Sequence, residues 1–333
     1  MATVLDTSTS FRLTRRQLLC SSALLLTPAL LRGAETRPAT EPSTEPATQP
    51  AEPIIDIHQH THYSGRTDEQ LLHHQRAMGV TQTILLPAGS EVIRPSTHDG
   101  KSNGLAATCG GNDTVVAIAA AHPGEYLFFA NEVPDLPEAA DVLRKYLKRG
   151  ALGIGEQKFN VDCDSPPIET VARVAGEFGV PVLLHFQEGM YNKGFANFHK
   201  VLEKIPKVTF IAHAQSTWAY TDKNYDPAQG NYPNGKITPG GITDRYLSDY
   251  PNFRADISAG SGLNFLVRDE EHARAFLERH QDKIMFGSDC NDAVGRGPTC
   301  QGWLTIHAIR RLAANRQIER KILYQNARQL FKL

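Results

Sequence analysis

The stretch Ile54-Ile55-Asp56-Ile57-His58-Gln59-His60 places two histidines, one residue apart, at the end of an apolar run rich in β-branched residues. Such a run predicts a buried β-strand. Because side chains alternate between the two faces of a strand, we expect His58 and His60 to point to the same side as Asp56. Two imidazoles held side by side at a strand end make half of a metal site.

Seven further strand-like runs follow, and helical patterns separate them. The predicted strands are 54–60, 81–88, 127–133, 151–159, 181–187, 207–214, 253–258 and 283–290. The predicted helices are 68–78, 105–121, 137–148, 167–178, 195–205, 242–249, 269–281 and 302–315. Near-continuous apolar strands separated by helices are typical of parallel sheets. The fold is therefore predicted to be α/β, a single-domain (β/α)8 TIM barrel over residues 54–333. A doubly wound sheet is the alternative, but no glycine-rich phosphate loop follows the first strand.

Chemically active side chains fall at the carboxyl ends of five predicted strands, where barrel enzymes place their catalytic residues. They are His58 and His60, Glu156 and Lys158, His185, His213, and Asp289. Glu156 precedes His185 by 29 residues, and His185 precedes His213 by 28, which is about one strand–helix repeat each. We expect these groups to meet at one mouth of the barrel.

Several segments resemble the metal-dependent amidohydrolase superfamily, most closely its amidohydrolase-related branch. They are Asp56-Ile57-His58-Gln59-His60, Leu183-Leu184-His185, Phe210-Ile211-Ala212-His213, Phe286-Gly287-Ser288-Asp289 and the closing segment 322–331. The resemblance covers residues 54–333. It implies a metal-dependent hydrolase that cleaves an amide, ester or lactone with a metal-activated water.

The resemblance also implies that His58, His60, His185 and Asp289 hold a divalent metal, with zinc the ion best suited to imidazole and carboxylate ligands. Asp289 would act as general base and then as general acid. His213 would be a catalytic residue, either a ligand of a second metal or an orienter of the reacting group. Glu156 would bridge two metals, or pair with a cation below the site, so one or two ions remain open.

The substrate is expected to be a small molecule, bound by Lys158, Arg254 and Trp218. A non-oxidative decarboxylase of an aromatic or unsaturated acid is the main alternative, because Lys158 and Arg254 could clamp a leaving carboxylate. An exported metal-binding protein without catalysis is a third possibility. Specificity is expected to come from loops 61–67, 89–103, 188–197, 215–241 and 259–268.

The first 34 residues resemble a twin-arginine export signal. Thr14-Arg15-Arg16-Gln17-Leu18-Leu19 opens an apolar run that is too short for a comfortable membrane span. Residues 35–53 form a Pro/Thr/Glu repeat that predicts a disordered linker. We therefore expect a periplasmic protein with no stable membrane span in its mature form, or an anchored one if the signal is not cleaved.

The charge of the chain limits the kinds of partner that we expect it to bind. Residues 1–34 carry four arginines and one aspartate, a charge of +3, so a total of −1 leaves −4 for the remainder. A mildly acidic domain without a basic face makes nucleic acid an unexpected partner. The state of Cys109, Cys163, Cys290 and Cys300 is left open by the sequence, as is assembly into a homo-oligomer.

Overall fold

The computed structural model describes residues 52–92 and 108–333. The predicted signal peptide (1–34) and the predicted linker (35–53) lie outside these residues, apart from Glu52 and Pro53, and both stay predictions. Among the helices described, none combines the length and the apolar character needed to cross a bilayer.

Strands and helices alternate along the described chain. The strands are β1 (Ile55–Gln59), β2 (Gln82–Leu85), β3 (Tyr126–Phe128), β4 (Ile154–Gln157), β5 (Val182–His185), β6 (Phe210–His213), β7 (Phe253–Asp256) and β8 (Ile284–Met285). The helices are α1 (Asp68–Met78), α2 (Asn112–Ala121), α3 (Ala139–Lys148), α4 (Pro166–Phe178), α5 (His199–Lys204), α6 (Gln215–Ala219), α7 (Ile242–Asp249), α8 (Ala259–Arg268), α9 (Glu270–Arg279), α10 (Gln301–Leu312), α11 (Arg316–Arg320) and α12 (Asn326–Phe331). A π-helical turn (Lys321–Gln325) joins the last two.

The strands are parallel, and each pairs with its neighbour in chain order in two ladders, β1-β2-β3 and β4-β5-β6-β7-β8. A parallel bridge between Ala130 and Ile154 joins β3 to β4. The backbone N–H of Ile57 donates to the carbonyl of Phe286, 3.1 Å away, which joins β8 to β1. The ladder therefore closes on itself, and the predicted (β/α)8 barrel is confirmed.

All eight predicted strands are confirmed, although each observed strand is shorter than its predicted run. Helix α1 begins and ends as predicted. Thr67 and Gln70 form a reciprocal capping box at its start, and Gly79 ends it in the left-handed conformation. Such a cap satisfies backbone N–H groups that the first helical turn cannot pair internally.

Two predicted loops contain helices, one over part of its length and one over all of it. Segment 215–241 opens with α6, and segment 259–268 is α8. Gly262 lets the first turn of α8 lie close to the residue that follows β7, because a Cβ there would lie 2.7 Å from the backbone carbonyl of Ile257.

Apolar side chains fill the barrel interior below the site. This inner core is separate from the larger layer between strands and helices, and it consists of Ile55, Ile57, Ile84, Leu86, Phe129, Leu183, Ile211, Met285, Ala327 and Phe331. The ring of Phe331, from α12, packs edge-on against Phe129 with 5.7 Å between centroids. The interior is therefore a packed core, and polar groups collect at the carboxyl ends of the strands.

Two register shifts decide which side chains enter the mouth. Three residue steps of β1, from Asp56 to Gln59, span only two steps of β2, from Thr83 to Leu85. A bulge of this kind re-aims the side chains that follow it. Ile55 and Ile57 therefore point into the barrel below the bulge, and His58 and His60 do so above it.

Asp56 consequently does not share a face with the two histidines, and that expectation was wrong. Its Oδ2 accepts a hydrogen bond from Gln75 of α1 at 3.0 Å, outside the barrel. Its Oδ1 accepts from the backbone N–H groups of His58 (3.0 Å) and Ser288 (2.9 Å). Asp56 therefore holds the ends of β1 and β8 together and is not placed to bind a substrate.

A second shift lies in β4, where the three steps from Ile154 to Gln157 span two steps of β5, from Val182 to Leu184. This bulge turns Glu156 into the mouth and leaves Gln157 to donate to Asn131 at 2.6 Å. Gly155 permits it, because its φ is 148° and a Cβ there would lie 2.7 Å from the carbonyl oxygen of Leu183.

We expect Gly155→Ala to lower the free energy of unfolding by about 2 kcal/mol, because alanine is strained at this φ and has no room for its Cβ. Urea unfolding measures the loss. Gly111→Ala is the matched control, because Gly111 has a φ of −86° and a Cβ at that position would have its nearest neighbour 3.9 Å away. Equal stability of the two variants would contradict the role given to Gly155.

Candidate metal centre

The mouth of the barrel gathers imidazole and carboxylate groups from four strands or strand ends. The Nε2 atoms of His58 and His60 lie 3.2 Å apart. Glu156 Oε2 lies 3.4 Å from the first and 3.3 Å from the second. Asp289 Oδ1 lies 3.8 Å from His58 Nε2 and 3.5 Å from His60 Nε2. His213 Nε2 completes the cluster, 3.6 Å from Glu156 Oε1 and 3.5 Å from Asp289 Oδ2.

These separations suit a shared cation. Ligand bonds of about 2.0–2.2 Å place neighbouring donor atoms about 3.0 to 3.5 Å apart, depending on coordination number. Three of the donor atoms are buried and have no hydrogen-bond partner among the described residues, namely Glu156 Oε2, His213 Nε2 and Asp289 Oδ1. Unpartnered buried polar atoms are costly. A cation would satisfy all three, so the residues present fit a divalent metal.

The two carboxylates are ionised in this site. Burial alone would raise the pKa of Glu156, but Lys158 and the hydrogen bond from His185 hold it well below its usual range. For Asp289, the imidazoles of His58 and His213 outweigh burial in the same way and hold its pKa well below the usual value. The site therefore presents negative charge to whatever binds between the histidines.

Asp289 sits on strained backbone just after β8. Its φ is 41°, in the left-handed region that non-glycine residues seldom adopt. Its backbone N–H donates to the carbonyl of His58 at 2.8 Å, which fixes this conformation against β1. Strain of this kind, held in place by surrounding structure, is concentrated at functional sites.

His185 lies beside the cluster and contacts it through Glu156. Its Nδ1 is 2.5 Å from Glu156 Oε1, and its Nε2 is 3.3 Å from Gln187 Oε1. Burial and the nearby charge of Lys158 lower the pKa of His185 to about 4, so the ring is neutral. With Nδ1–H donated to Glu156, Nε2 keeps its lone pair. The structure thus brings together the predicted ligands His58, His60, Glu156 and Asp289 with His213, and places His185 one contact away.

A buried network that the sequence reasoning missed supports two of the histidines. Asp256, at the end of β7, places Oδ2 2.6 Å from His58 Nδ1. Ser258 Oγ donates to the same oxygen at 2.9 Å and lies 2.8 Å from His213 Nδ1. Carboxylates that hold the second nitrogen of a histidine fix its orientation and raise its basicity. The alternation of Arg254, Asp256 and Ser258 along one face was the signal that could have revealed them.

Asp256 and Asp289 also control the proton on His58. Burial would lower the pKa of His58, but these two carboxylates raise it to about 10. Without a cation, the imidazole therefore holds a proton at neutral pH. Binding of a metal at Nε2 must release that proton, a coupling general to histidine ligands.

We expect Asp256→Asn to weaken binding of Mn²⁺ or Zn²⁺ by 10- to 100-fold, on the order found for partners of metal-bound histidines. Calorimetric titration of the metal-free protein measures the change. Asp162→Asn, at a side chain that is 67% exposed, is the matched control and should bind like the wild type. An unchanged affinity in the Asp256 variant would show that His58 needs no such support.

The three predicted substrate-binding residues have different fates. Lys158 lies at the site. Burial would lower its pKa, but Glu156 and Asp289 raise it, and its Nζ is 5.7 Å from the ring centroid of Tyr191.

Arg254 lies away from the site, and its predicted contact with substrate was wrong. It is two residues below Asp256 on β7, and its Nη1 donates to the carbonyl of Asp282, just before β8, at 2.7 Å. Trp218 is buried, stacks on Phe265 with 4.9 Å between centroids, and donates to the carbonyl of Asp256 at 3.1 Å.

Tyr63 is a further neighbour of the site, from the loop after β1. Its ring packs edge-on against His60, with 5.1 Å between centroids. The negative charge of Asp289, together with burial, raises the pKa of Tyr63 well above its usual value. Its phenol therefore stays protonated and can donate a hydrogen bond at the mouth.

Comparison with known proteins identifies the family of the barrel. The family described as amidohydrolase matches residues 55–333, nearly the whole barrel. The chain belongs to the amidohydrolase family. No curated protein sequence matches the chain.

Solved structures of related proteins share the fold of this amidohydrolase-family chain at low sequence identity. A protein assigned as a 2-pyrone-4,6-dicarboxylic acid hydrolase from Pseudomonas putida is 18% identical with a TM-score of 0.54, over 84% of this chain and 97% of that one. A 2,6-dihydroxybenzoate decarboxylase from Rhizobium is 15% identical with a TM-score of 0.52, over 84% and 99%. A 5-carboxyvanillate decarboxylase from Novosphingobium aromaticivorans, complexed with manganese, is 15% identical with a TM-score of 0.50, over 80% and 81%. At these identities the likeness concerns the fold.

Proposed function

We propose that this member of the amidohydrolase family is a metal-dependent hydrolase that cleaves an amide, ester or lactone with an activated water. The carboxylate of Asp289 carries the proposal. Its Oδ1 is buried beside His58 and His60, where a bound cation would be its partner, and its Oδ2 lies 3.5 Å from His213 Nε2. A carboxylate that faces the metal donors with one oxygen can accept a proton from a neighbouring water with the other.

The mechanism follows from the positions of these groups. A divalent cation, when bound by His58, His60, Glu156 and Asp289, would polarise the scissile carbonyl and lower the pKa of a water. Asp289 takes a proton from the attacking water and later delivers it to the leaving group. Lys158, held as an ammonium at the mouth, binds a carboxylate or carbonyl oxygen of the substrate.

Three further groups support these steps. Asp256 and Ser258 fix the rings of His58 and His213, so that both Nε2 atoms keep their direction. The neutral ring of His185 fixes Glu156. Reacting groups held in place in this way avoid the entropic cost of finding their geometry during each turnover.

Decarboxylation of an aromatic or unsaturated acid is the second candidate, and Lys158 is the observation that favours it. Its ammonium lies close enough to Glu156 and Asp289 for both charges to raise its pKa, and it could hold a substrate carboxylate. Arg254, the other cation considered for a carboxylate clamp, lies at the opposite end of β7. A single lysine makes a weaker clamp than two cations, so we favour hydrolysis.

The two candidate reactions differ in the fate of the solvent oxygen and of the substrate's carboxyl carbon. Metal-loaded protein should be incubated with panels of lactones, esters, amides and hydroxybenzoates in ¹⁸O-labelled water. We expect one ¹⁸O atom in the carboxylic acid product and no carbon dioxide. Asp289→Asn serves as the inactive control. Release of carbon dioxide, with no ¹⁸O in the phenol or other product that remains, would establish the decarboxylase instead.

We propose zinc as the bound ion, because neutral imidazoles and carboxylates with an open position are typical of catalytic zinc. The manganese held by one of the decarboxylases shows that the fold also accepts a harder ion. Elemental analysis of protein purified without added metal is compared with that of the His58→Ala/His60→Ala variant, and the metal lost with the two histidines should be zinc rather than manganese. The reverse result would overturn this assignment and leave the hydrolase proposal standing.

We also propose export by the twin-arginine route, on the basis of Arg15 and Arg16 before the apolar run. Fractionation of a bacterial host should recover the wild-type chain from the periplasm. The double variant Arg15→Lys/Arg16→Lys should stay in the cytoplasm. The same distribution for both chains would contradict this route.

A further inference from the structure

A second cluster of metal-binding side chains lies outside the candidate metal centre. His74 and Met78 of α1 meet Cys290, which follows Asp289, and Cys300, which precedes α10. All four are buried, with exposed fractions of 0% for His74, Cys290 and Cys300 and 6% for Met78. Nothing in the proposed hydrolysis uses these residues.

The distances from Cys300 Sγ to the other three donor atoms are close to those expected in a tetrahedral site. Cys300 Sγ is 3.9 Å from Cys290 Sγ, 3.4 Å from His74 Nε2 and 3.7 Å from Met78 Sδ. For a metal–sulfur bond of about 2.3 Å and a metal–nitrogen bond of about 2.1 Å, tetrahedral geometry places neighbouring donors about 3.5 to 3.8 Å apart. The ligating atoms of His74, Cys290 and Cys300 all lie within 4.8 Å of one another. The other ring nitrogen of His74 is buried and has no hydrogen-bond partner among the described residues.

The start of α10 places a backbone N–H donor beside each of the two sulfur atoms. The backbone N–H of Trp303 donates to Cys300 Sγ at 3.4 Å, and that of Gly302 donates to Cys290. Backbone N–H donors stabilise thiolates, the form of cysteine that binds metals. Gly302 also leaves room for the cluster, because a Cβ there would lie 2.6 Å from Met78 Sδ.

We infer that His74, Met78, Cys290 and Cys300 form a structural site for a thiophilic d¹⁰ cation, Zn²⁺ or Cu⁺. Two thiolates, one imidazole and one thioether are soft ligands that select such ions over Mg²⁺, Ca²⁺ or Mn²⁺. The site ties α1 to the segment that carries Asp289. The carbonyl of Cys290 also accepts hydrogen bonds from Gln59 and Arg66, both at 2.8 Å, so the same residue is fixed from β1 as well.

Cobalt titration tests this inference without reference to catalysis. The full chain should carry Cys20→Ser and Cys109→Ser, which removes the thiol whose charge acts on His60. Titration of the metal-free protein with Co²⁺ under anaerobic conditions should produce a thiolate-to-cobalt charge-transfer band in the near ultraviolet. The imidazoles and carboxylates of the candidate metal centre cannot give this band, so it should persist when His58 and His60 are both replaced by alanine.

The assignment to these cysteines is tested by substitution. Cys290→Ser or Cys300→Ser should abolish the band, and Cys163→Ser, the matched control at another buried thiol, should retain it. Displacement of Co²⁺ by Zn²⁺ or by Cu⁺ distinguishes the two ions. Met78→Leu should weaken Cu⁺ by at least about tenfold and change Zn²⁺ much less, because thioether sulfur prefers Cu⁺.

Two results would overturn the inference. One is a titration without a charge-transfer band, or with a band that survives in both cysteine variants. The other is a purified chain two hydrogens lighter, with Cys290 linked to Cys300 as a disulfide. Should a cysteine variant fail to fold, X-ray absorption of the zinc-loaded chain with His58 and His60 replaced by alanine decides the matter. Three sulfur neighbours are expected, two thiolates and one thioether, and the absence of sulfur neighbours would contradict the site.

Discussion

Asp289→Asn is expected to lower kcat by about 10³-fold, within the range of 10²–10⁴ for loss of a general base. An amide cannot take a proton from water. The substitution also removes one of the two ionised carboxylates that face His58 and His60. Steady-state kinetics at saturating metal measures the loss of kcat, and elemental analysis of the same sample shows how much metal remains.

The control for this experiment is Asp162→Asn, which removes an exposed carboxylate beside Lys193 and should leave kcat unchanged. A low kcat with the metal retained identifies Asp289 as the proton acceptor. A low kcat that recovers fully at high metal concentration identifies it as a ligand alone. If the variant keeps more than a tenth of the wild-type kcat and binds metal as tightly as the wild type, Asp289 has neither role.

Removal of the metal is expected to abolish turnover and to lower the melting temperature on the order of 10 °C. A ligand at about 1,000 times its dissociation constant stabilises the folded state by about 4 kcal/mol. For a domain of this size, each kcal/mol shifts Tm by roughly 2–4 °C. The metal-free site also leaves Glu156 Oε2, His213 Nε2 and Asp289 Oδ1 without partners among the described residues.

Dialysis against a chelator, followed by calorimetric melting and an activity assay, measures both effects. Added Zn²⁺ or Mn²⁺ should restore both. The double variant His58→Ala/His60→Ala separates this site from the cysteine cluster: it should be inactive throughout, and any fall in its Tm on chelation belongs to the cluster. Full activity in wild-type protein that elemental analysis shows to be metal-free would contradict the expectation.

Hydrophobic pattern was enough to predict the barrel. Each strand is buried on both sides, so its sequence is a short apolar run that stands out from the amphipathic helices around it. Segment 259–268 was predicted to be a loop, and it is helix α8, in which Gly262 serves a close approach to Ile257. Periodicity reports burial, and it does not report how closely two backbones approach.

The strict alternation of side chains was the weakest assumption about the site. It placed Asp56 beside His58, whereas the bulge in β1 puts the two on opposite faces. The bulge in β4 likewise turns Glu156 into the mouth. A single extra residue in a ladder depends on the partner strand, so one strand's sequence cannot reveal it.

The remaining differences between prediction and structure concern two residues. One depends on its position along a strand, and the other on packing between helices. Arg254 was considered a substrate ligand because it is cationic and close in sequence to a strand end. It lies two residues below Asp256 and reaches the other end of the barrel. Trp218 was considered for its aromatic ring, yet Phe265 of α8 covers it. Both outcomes depend on neighbours distant in sequence.

Anomalous diffraction from crystals soaked in Mn²⁺ tests the central claim most directly, because thiolates compete poorly for this hard ion. We predict one peak at the barrel mouth, within about 2.0–2.3 Å of His58 Nε2, His60 Nε2 and an oxygen of Asp289. The claim would be contradicted if the crystals, soaked at a saturating Mn²⁺ concentration, showed no peak between these three residues, whether or not Mn²⁺ was bound elsewhere.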